Sequence, residues 1–489
     1  MRIALLICFI FILFVDTAVF AAGSQIQASS EKLPVMKSEI PDAGACQQAI
    51  EKLGRAAGNS GVLVVSVPSG EVVCESRSKE VFVPASLMKL LTSYAALKKL
   101  GPSFRFETKV LAAGAPVEGV IAGDIWIKGS GDPLFGSDSA LQLANTLRQR
   151  GIRQIRGGIF VDDSFFQPSS ERICLDSDCV GLYNPVVSAA AIDFNTLTVK
   201  ISIPSKARRV ADSGLADGYV QVSGKAENSG KRGASSLSLH SNGATGNGEE
   251  QFQLSGRASA GSHAREFRFN AADPAGLFAH SMRSALERAG VKVLGAGARG
   301  GKAPPGAEVI AVYDSPTLEE LISGMNKYSN NFMAEMFLKS LGGYVSGAPG
   351  DSLKGIAVLR TTLKEAGIPN EIGSIDCGSG LSRFCRISPR TFCRLLVSAW
   401  NDNGIREDFI SSMAANGGQG TLMRRMRTPG LTVRGKTGTL KDVIGFAGYA
   451  TGPSGRTYAV AIMLNEVRDR FKAREAVDSL LEQVAFSGL

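Results

Sequence analysis

The segment Ser86-Leu87-Met88-Lys89 decides the interpretation of this chain, because it places a hydroxyl and an amine one helical turn apart. Pro84 precedes it and apolar residues follow at helical spacing, so a buried helix is predicted to begin close to Ser86. In a first helical turn the backbone N–H groups are unpaired and the helix dipole favours developing negative charge. A serine becomes nucleophilic when a base takes its proton, and a largely neutral lysine can be that base. The segment therefore predicts a nucleophile at Ser86 and a base at Lys89.

Two further short motifs lie downstream, Ser329-Asn330-Asn331 and Lys436-Thr437-Gly438-Thr439. Each motif alone is weak. The Ser-x-x-Lys spacing also occurs at 29–32 and 76–79, Ser329 could simply cap a helix over 330–341, and Lys436 could end the strand predicted over 431–434 before a turn. The three motifs in this order, however, form the Ser-x-x-Lys, Ser-x-Asn and Lys-Thr-Gly signature of penicillin-binding proteins and class A β-lactamases.

The chain of 489 residues is too long for one ordinary core, and its two ends carry matching strand patterns. Hairpins are predicted over 62–74, with a turn at 68–70, and over 444–464, with a turn at 452–455. With the strand before Lys436 these make five strands, followed by a helix over about 470–485. We therefore predict an α/β fold in which distant segments close a five-stranded antiparallel sheet flanked by helices.

The middle of the chain differs in composition from both ends. Residues 202–261 are rich in Gly, Ser and Asn with short alternating runs, which indicates a β-rich insertion, and a helical pattern returns over 275–289. We expect a signal peptide over 1–22, a catalytic domain formed by 23–100 and 301–489, and an inserted region of two small subdomains over 101–300.

The N-terminus is typical of a secretory signal. Arg2 is followed by an apolar core over 4–15 and by the small-residue cleavage pattern Val19-Phe20-Ala21. Because the apolar run stops at Asp16, it is short for a membrane span, although an uncleaved anchor is the alternative. We expect an exported, periplasmic protein without a stable membrane span in its mature form.

Export would permit disulfides, although sequence alone does not give their connectivity. Seven cysteines remain once the signal, with Cys8, is removed. Candidate bridges are Cys174–Cys179 and Cys46–Cys74, and the odd trio is Cys377, Cys385 and Cys393.

Composition excludes several other functional classes. No Cys/His spacing indicates a metal, and the three histidines lie in polar or inserted stretches, so a Ser-His-Asp triad is not expected. The net charge of +9 is compatible with loose affinity for anionic envelope polymers or with solubility alone, and no basic patch interleaved with aromatic residues indicates nucleic acid. No cofactor or metal is predicted.

The chain from about Cys46 onward resembles the class C low-molecular-mass penicillin-binding proteins, the D-Ala-D-Ala carboxypeptidase/endopeptidase family also called peptidase family S13. Further segments that carry the resemblance are Gly129-Ser130-Gly131-Asp132-Pro133-Leu134, 269–290, Gly378-Ser379-Gly380-Leu381-Ser382-Arg383 and Gly420-Thr421-Leu422. Class A β-lactamases are less similar, since they lack the long insertion and their Glu-x-x-Leu-Asn element is not found here. This chain departs from the family by placing Cys377 between Asp376 and Gly378, and by having Asn330 where the family often has Asp.

The resemblance implies a serine penicillin-recognising fold, similar to β-lactamases and transpeptidases, and a D,D-peptidase mechanism. Ser86 attacks the penultimate carbonyl while Lys89 accepts its proton, with burial and the Lys436 cation both expected to disfavour the Lys89 ammonium. The backbone N–H groups of Ser86 and Thr439 form the oxyanion hole. Ser329, held by Asn331 and Lys436, relays the proton to the leaving D-Ala.

The substrate site implied by the resemblance lies on the third motif. Lys436, Thr437, Gly438 and Thr439 bind the terminal carboxylate, and an acid of the insertion, Asp176 or Asp178, reaches the substrate's side-chain amine. The expected substrates are peptidoglycan pentapeptides and peptide cross-links, with β-lactams as covalent inhibitors. The alternatives are a β-lactamase or an esterase on the same scaffold, or a non-catalytic envelope scaffold.

Overall fold

The computed structural model of the chain describes residues 43–168, 181–203, 210–228, 236–259, 263–368 and 372–486. The predicted signal peptide, the acids Asp176 and Asp178, and the cysteines Cys8, Cys174 and Cys179 lie outside the described residues. Among the described helices, none combines the length and the apolar character that a membrane crossing requires.

The α-helices of the described residues group before, within and after the predicted insertion. The residues that would start the catalytic helix at Ser86 form a 3₁₀ turn, Ala85–Leu87, that runs directly into α2. The helix predicted over 275–289 is α4, and the C-terminal helix is α10. Their bounds are α1 Ala43–Ala56, α2 Met88–Leu100, α3 Ser137–Gln149, α4 Pro274–Arg288, α5 Leu318–Tyr328, α6 Asn331–Ser346, α7 Ser352–Glu365, α8 Pro389–Trp400, α9 Arg406–Ser411 and α10 Arg470–Phe486.

The β-strands are concentrated at the two ends of the chain and in the inserted region. Their bounds are β1 Ala57–Val67, β2 Val72–Ser76, β3 Glu107–Ala112, β4 Val120–Ile121, β5 Ile125–Lys128, β6 Gln154–Ile155, β7 Ile159–Asp162, β8 Thr196–Ser202, β9 Val210–Asp212, β10 Val220–Gly224, β11 Glu227–Asn228, β12 Ser238–Ala244, β13 Glu250–Ser255, β14 Arg257–Ala258, β15 Arg265–Asn270, β16 Lys292–Val293, β17 Ala298–Gly300, β18 Glu308–Asp314, β19 Ile372–Ser374, β20 Arg386–Ile387, β21 Ala414–Ala415, β22 Thr432–Thr439, β23 Val443–Thr451 and β24 Thr457–Val467.

The central sheet joins strands from both ends of the chain, as predicted. Its order is β2-β1-β24-β23-β22-β21, and every neighbouring pair is antiparallel. The predicted hairpins are β1–β2 and β23–β24. The expected five strands are all present, and the two-residue strand β21 extends the sheet by pairing with β22 at Gly435 and Arg434.

The central sheet is buried on both faces because alternate residues of its strands point to different helix layers. One face packs on α1 and α10, and the other packs on α2 and α5 to α8. A disulfide between Cys46 and Cys74, one of the two pairings considered from the sequence, links α1 to β2. The residues facing α1 and α10 include Val62, Val64, Val460, Ile462 and Leu464, and those facing the other layer include Leu63, Val65, Ala459, Ala461 and Met463.

The inserted region is rich in short strands, as its composition predicted. Its largest sheet has the order β17-β7-β5-β3-β18, so strand β18 (308–314) shares a sheet with β3 (107–112), beyond the boundary expected at residue 300. Most of the buried apolar side chains between Val110 and Ala311 form one cluster, whereas Phe166, Ala189 and Ala191 pack with Phe332 and Met336 of α6. The division of this region into two subdomains stays a prediction.

Candidate active site

Three segments that are far apart in sequence meet at the N-terminus of α2. They are the 3₁₀ turn that carries Ser86, the junction between α5 and α6 that carries Ser329, and strand β22, which carries Lys436. Ser86 is half-buried, while the neighbouring residues Ala85 and Leu87 are fully buried. Ala85 has φ of 48°, a left-handed conformation that is costly for a residue with a side chain. The turn is therefore held in its strained conformation by the segments packed around it.

Lys89 is fully buried, and its side-chain nitrogen contacts three oxygen atoms. The Nζ atom lies 3.0 Å from Ser86 Oγ, 2.8 Å from Asn331 Oδ1 and 2.8 Å from the backbone oxygen of Ser379. A neutral amine has two N–H groups and one lone pair. If Asn331 and Ser379 accept the two N–H groups, the lone pair is left facing the Ser86 hydroxyl.

Burial lowers the pKa of Lys89 to about 7, while Glu335 and Cys377 act in the opposite direction. A fraction near one half of Lys89 is therefore neutral at pH 7, as a general base requires. Burial also lowers the pKa of Lys436, and the Lys89 charge adds to that effect. Burial is thus the largest cause at both lysines, and the like-charge repulsion expected from the sequence acts between them.

The second motif lies where α5 ends and α6 begins. Ser329 has φ of 59° and ends α5 in the left-handed conformation, while the side chain of Asn330 caps α6 by accepting from the backbone N–H of Met333 at 3.1 Å. The alternative in which Ser329 caps this helix is therefore wrong. Because capping is done by Asn330, the Ser329 hydroxyl is available to contact Lys436, whose Nζ donates to Ser329 Oγ at 2.8 Å.

Asn331 has different partners from those expected. It was predicted to hold Ser329, but its Oδ1 accepts from Lys89 and its Nδ2 donates to the backbone oxygen of Tyr183 at 3.2 Å. Tyr183 belongs to the inserted region. The insertion therefore contacts the constellation of motif residues directly, through a backbone carbonyl.

The third motif lies inside strand β22. The sequence had placed Lys436 just after the end of a strand over 431–434. Lys436 is fully buried, and its Nζ also donates to the backbone oxygen of Thr437 at 2.9 Å. Thr437 Oγ1 donates to Thr421 Oγ1 at 2.9 Å, and Thr439 is exposed at the end of the strand.

Gly438 allows strand β22 to approach the nucleophile turn. A Cβ atom at this position would lie 2.8 Å from the backbone oxygen of Pro84 and 3.3 Å from Ala85 Cβ. Because backbone atoms cannot rotate away, a side chain here would push the strand from the turn. The Lys-Thr-Gly motif thus has a packing reason for its glycine.

Glu335 is a buried residue near the site that the sequence reasoning missed. Its carboxylate accepts from the backbone N–H groups of Gly378 and Ser379 at 3.1 and 2.8 Å, while burial raises its pKa. It thereby fixes the segment whose Ser379 oxygen contacts Lys89. The available signal was its position four residues after Asn331, on the same face of a predicted helix.

A cleft of about 330 Å³ opens beside the second motif. One wall is formed by 329–332, and the other by residues of the insertion that include Tyr183, Thr198 and Arg268. A substrate chain entering this cleft would reach the motif residues from the side of the insertion. Among described residues, the acidic and thiol groups close enough together to share a metal ion are Asp376, Cys377 and Cys385.

Comparisons with known proteins agree with this architecture. The family model described as D-Ala-D-Ala carboxypeptidase 3 (S13) matches residues 44–484. A D-alanyl-D-alanine carboxypeptidase of Actinomadura sp. (strain R39) is 30% identical over 420 residues, which cover 81% of this chain and 76% of the relative. The D-alanyl-D-alanine carboxypeptidase DacB of Haemophilus influenzae is 23% identical over 418 residues, 83% of this chain and 85% of the relative.

A solved structure has the same fold. The crystal structure of penicillin binding protein 4 (dacB) from Haemophilus influenzae covers 89% of this chain and 97% of its own, with a TM-score of 0.70 and 22% identity. The predicted serine penicillin-recognising fold is therefore confirmed.

Proposed function

This chain belongs to the D-Ala-D-Ala carboxypeptidase 3 (S13) family, and we propose that it hydrolyses the terminal D-Ala-D-Ala bond of peptidoglycan stem peptides through an acyl-enzyme on Ser86. Peptide cross-links whose scissile bond joins D-Ala to a D-centre are substrates of the same chemistry. The observation that carries the proposal is the arrangement of acceptors around Lys89, because Asn331 and Ser379 leave its lone pair for the Ser86 hydroxyl at 3.0 Å.

The acylation step uses the first motif. Ser86 Oγ bonds to the penultimate carbonyl carbon as its proton passes to Lys89 Nζ, and the carbonyl oxygen becomes an oxyanion. Backbone N–H groups of Ser86 and Thr439 receive that oxyanion, and one such donor contributes roughly 3–4 kcal/mol to transition-state stabilisation. The C–N bond then breaks, and the amine of D-Ala takes a proton.

The leaving side uses the second and third motifs. Ser329, which accepts from Lys436, delivers the proton to the leaving amine. The terminal carboxylate of the substrate binds at Lys436, Thr437, Gly438 and Thr439, and an anion there favours the ammonium form of Lys436, whose pKa burial otherwise lowers. Water then adds to the acyl carbon as its proton passes through Ser329 to Lys436, the ester C–O bond breaks, and Lys89 returns its proton to Ser86 Oγ, so no cofactor or metal is required.

β-Lactams present the same acyl and carboxylate groups as the D-Ala-D-Ala end, so they acylate Ser86 and leave slowly. We propose that the protein is exported to the periplasm after cleavage of the signal peptide at residues 1–22, where its substrate lies. We propose that an acid of the insertion, Asp176 or Asp178, contacts the substrate's side-chain amine. The proposed catalytic domain combines 23–100 with the C-terminal part of the chain.

The test combines labelling with a fluorescent penicillin and release of D-Ala from a muramyl-pentapeptide analogue. Ser86→Ala removes one half-buried hydroxyl and is expected to abolish both signals while the thermal unfolding curve is kept. The matched control is Ser76→Ala, from the second Ser-x-x-Lys copy, which should label like the parent. Stoichiometric labelling of Ser86→Ala would place the nucleophile elsewhere, and rapid turnover of a chromogenic cephalosporin would favour a β-lactamase.

A further inference from the structure

Two cysteines outside the motifs lie in contact behind the catalytic lysine. Cys377 and Cys385 are both fully buried, and their sulfur atoms are 3.4 Å apart. Both lie in the connection between β19 and β20, with Ser379 between them. Cys377 is the residue by which this chain departs from the family pattern before Gly378.

We propose that Cys377 and Cys385 form a second disulfide, which fixes the segment that supplies the Ser379 oxygen to Lys89. Formation requires the two sulfur atoms to approach by roughly 1.4 Å, from 3.4 Å to the bond length of about 2.0 Å. The two thiols lose two protons and two electrons, and one oxidised glutathione becomes two reduced molecules. The structure contains one other disulfide, Cys46–Cys74, and the proposed export would bring both pairs into an oxidising compartment.

The segment between the two cysteines is bound to the active site by its backbone. Gly378 oxygen accepts from Thr92 Oγ1 at 2.8 Å, and the N–H groups of Gly378 and Ser379 donate to Glu335. The Ser379 oxygen accepts from Lys89. A covalent bond that closes this short segment therefore limits the movement of one of the three oxygens around the lysine.

A bound metal is the competing explanation for these cysteines, and the structure favours the disulfide. Structural zinc sites use four ligands, whereas this group offers Asp376, Cys377 and Cys385. The Asp376 carboxylate is exposed and already accepts from Ser382 Oγ and Cys385 Sγ. Each oxygen of this carboxylate therefore already accepts a hydrogen bond.

Peptide mapping tests the bond. The protein is folded with oxidised and reduced glutathione, and it is then denatured and alkylated without a reductant. Trypsin cuts after Arg383 and separates Cys377, in 365–383, from Cys385, in 384–386. We expect these peptides to be linked until a reductant is added. The Cys46–Cys74 pair is the positive control, and Cys393, whose Sγ contacts backbone oxygens, is the alkylated control. Alkylation of both Cys377 and Cys385 would overturn the proposal. Zinc binding by protein in which neither thiol is oxidised would overturn it as well.

The effect on Lys89 rests on the proposed function, whereas the bond itself does not. Cys377→Ser/Cys385→Ser is expected to slow acylation by penicillin about 2- to 30-fold on the alkaline plateau, because the Ser379 oxygen no longer orients the amine toward Ser86. The acid limb of the pH profile should move to lower pH, because the ammonium form of Lys89 loses an anchored acceptor. Cys46→Ser/Cys74→Ser is the matched control and should acylate within about twofold of the parent. Parent protein reduced with dithiothreitol gives the same comparison without a substitution.

The outcomes separate the claims. Linked peptides with an unchanged rate and pH profile in the double-serine variant would keep the disulfide and overturn its positioning role. A parent protein that penicillin does not label would contradict the proposed function and leave the mapping result standing.

Discussion

The acylation rate of Ser86 is expected to follow the fraction of neutral Lys89. With burial lowering the pKa of Lys89 to about 7, that fraction is about 0.9 at pH 8 and about 0.01 at pH 5, so the rate should fall about 90-fold. The sign follows from the role of the group, because protonation removes the lone pair that faces Ser86. The measurement is the second-order rate of labelling by a fluorescent penicillin from pH 5 to 8, below saturation.

Lys89→Arg separates a base from a fixed cation at the same position. A guanidinium stays protonated at any working pH, so this variant should lose on the order of a hundredfold or more in acylation rate, about as much as Lys89→Ala. The residual rate of both variants should lack the acid limb near pH 7. Thermal unfolding of each variant checks that the fold is kept, since Lys89 is fully buried.

Two results would refute this reasoning. An arginine variant that acylates within a few-fold of the parent would show that Lys89 supplies only positive charge. A parent rate that stays flat between pH 8 and pH 5 would show that the lysine is neutral well below its expected pKa, or that another group takes the proton.

Three further predictions concern the surroundings of the site. Glu335→Gln should lower the free energy of unfolding by about 1.5–3 kcal/mol, because one hydrogen bond from a backbone N–H group to a charged acceptor is lost. It should also move the acid limb of the acylation rate to lower pH, because a carboxylate that raises the pKa of Lys89 is removed. An acid limb that moves to higher pH would contradict this prediction. Gly438→Ala should slow labelling at least about tenfold by pushing β22 from the nucleophile turn, whereas Gly324→Ala, where an added Cβ meets nothing within 4 Å, should not. Deleting 107–314, which removes β3 together with its partner β18, should reduce digestion of intact cell wall most, but penicillin labelling as well, and a deletion protein that labels at the parent rate would show that the insertion does not support the site.

The central sheet could be predicted from the sequence because its strands have clear patterns. The runs over 62–65 and 458–464 are continuously apolar, since both faces of the sheet are covered, and Gly and Pro residues mark the turn of each hairpin. The strand β21 could not be predicted, because two alanines carry no periodicity and pair only where β22 offers its edge. The pairing of β18 could not be predicted either, because its partner β3 lies about 200 residues earlier in the chain.

The motif residues of the site were predictable because their chemistry is written in residue types at fixed spacing. Glu335 was missed, because its position four residues after Asn331 indicates only a shared helix face, and its role requires the backbone N–H groups of Gly378 and Ser379 that the fold brings to it. The pKa shifts of Lys89 and Lys436 could be predicted only in part. Burial of both lysines follows from apolar neighbours, but the buried carboxylate of Glu335, which raises the pKa of Lys89, was not predicted.

The contact between Asn331 and Tyr183 has a consequence for the base that no residue pattern could indicate. A side-chain amide has an acceptor at one end and a donor at the other, and only the acceptor can face an ammonium. The Tyr183 oxygen takes the donor end of Asn331 at 3.2 Å, which leaves Oδ1 facing Lys89 at 2.8 Å. If Tyr183 moved away, the amide could turn and present N–H groups to the lysine. The inserted region therefore helps to decide which end of Asn331 faces the base, through a backbone atom that carries no residue-type signal.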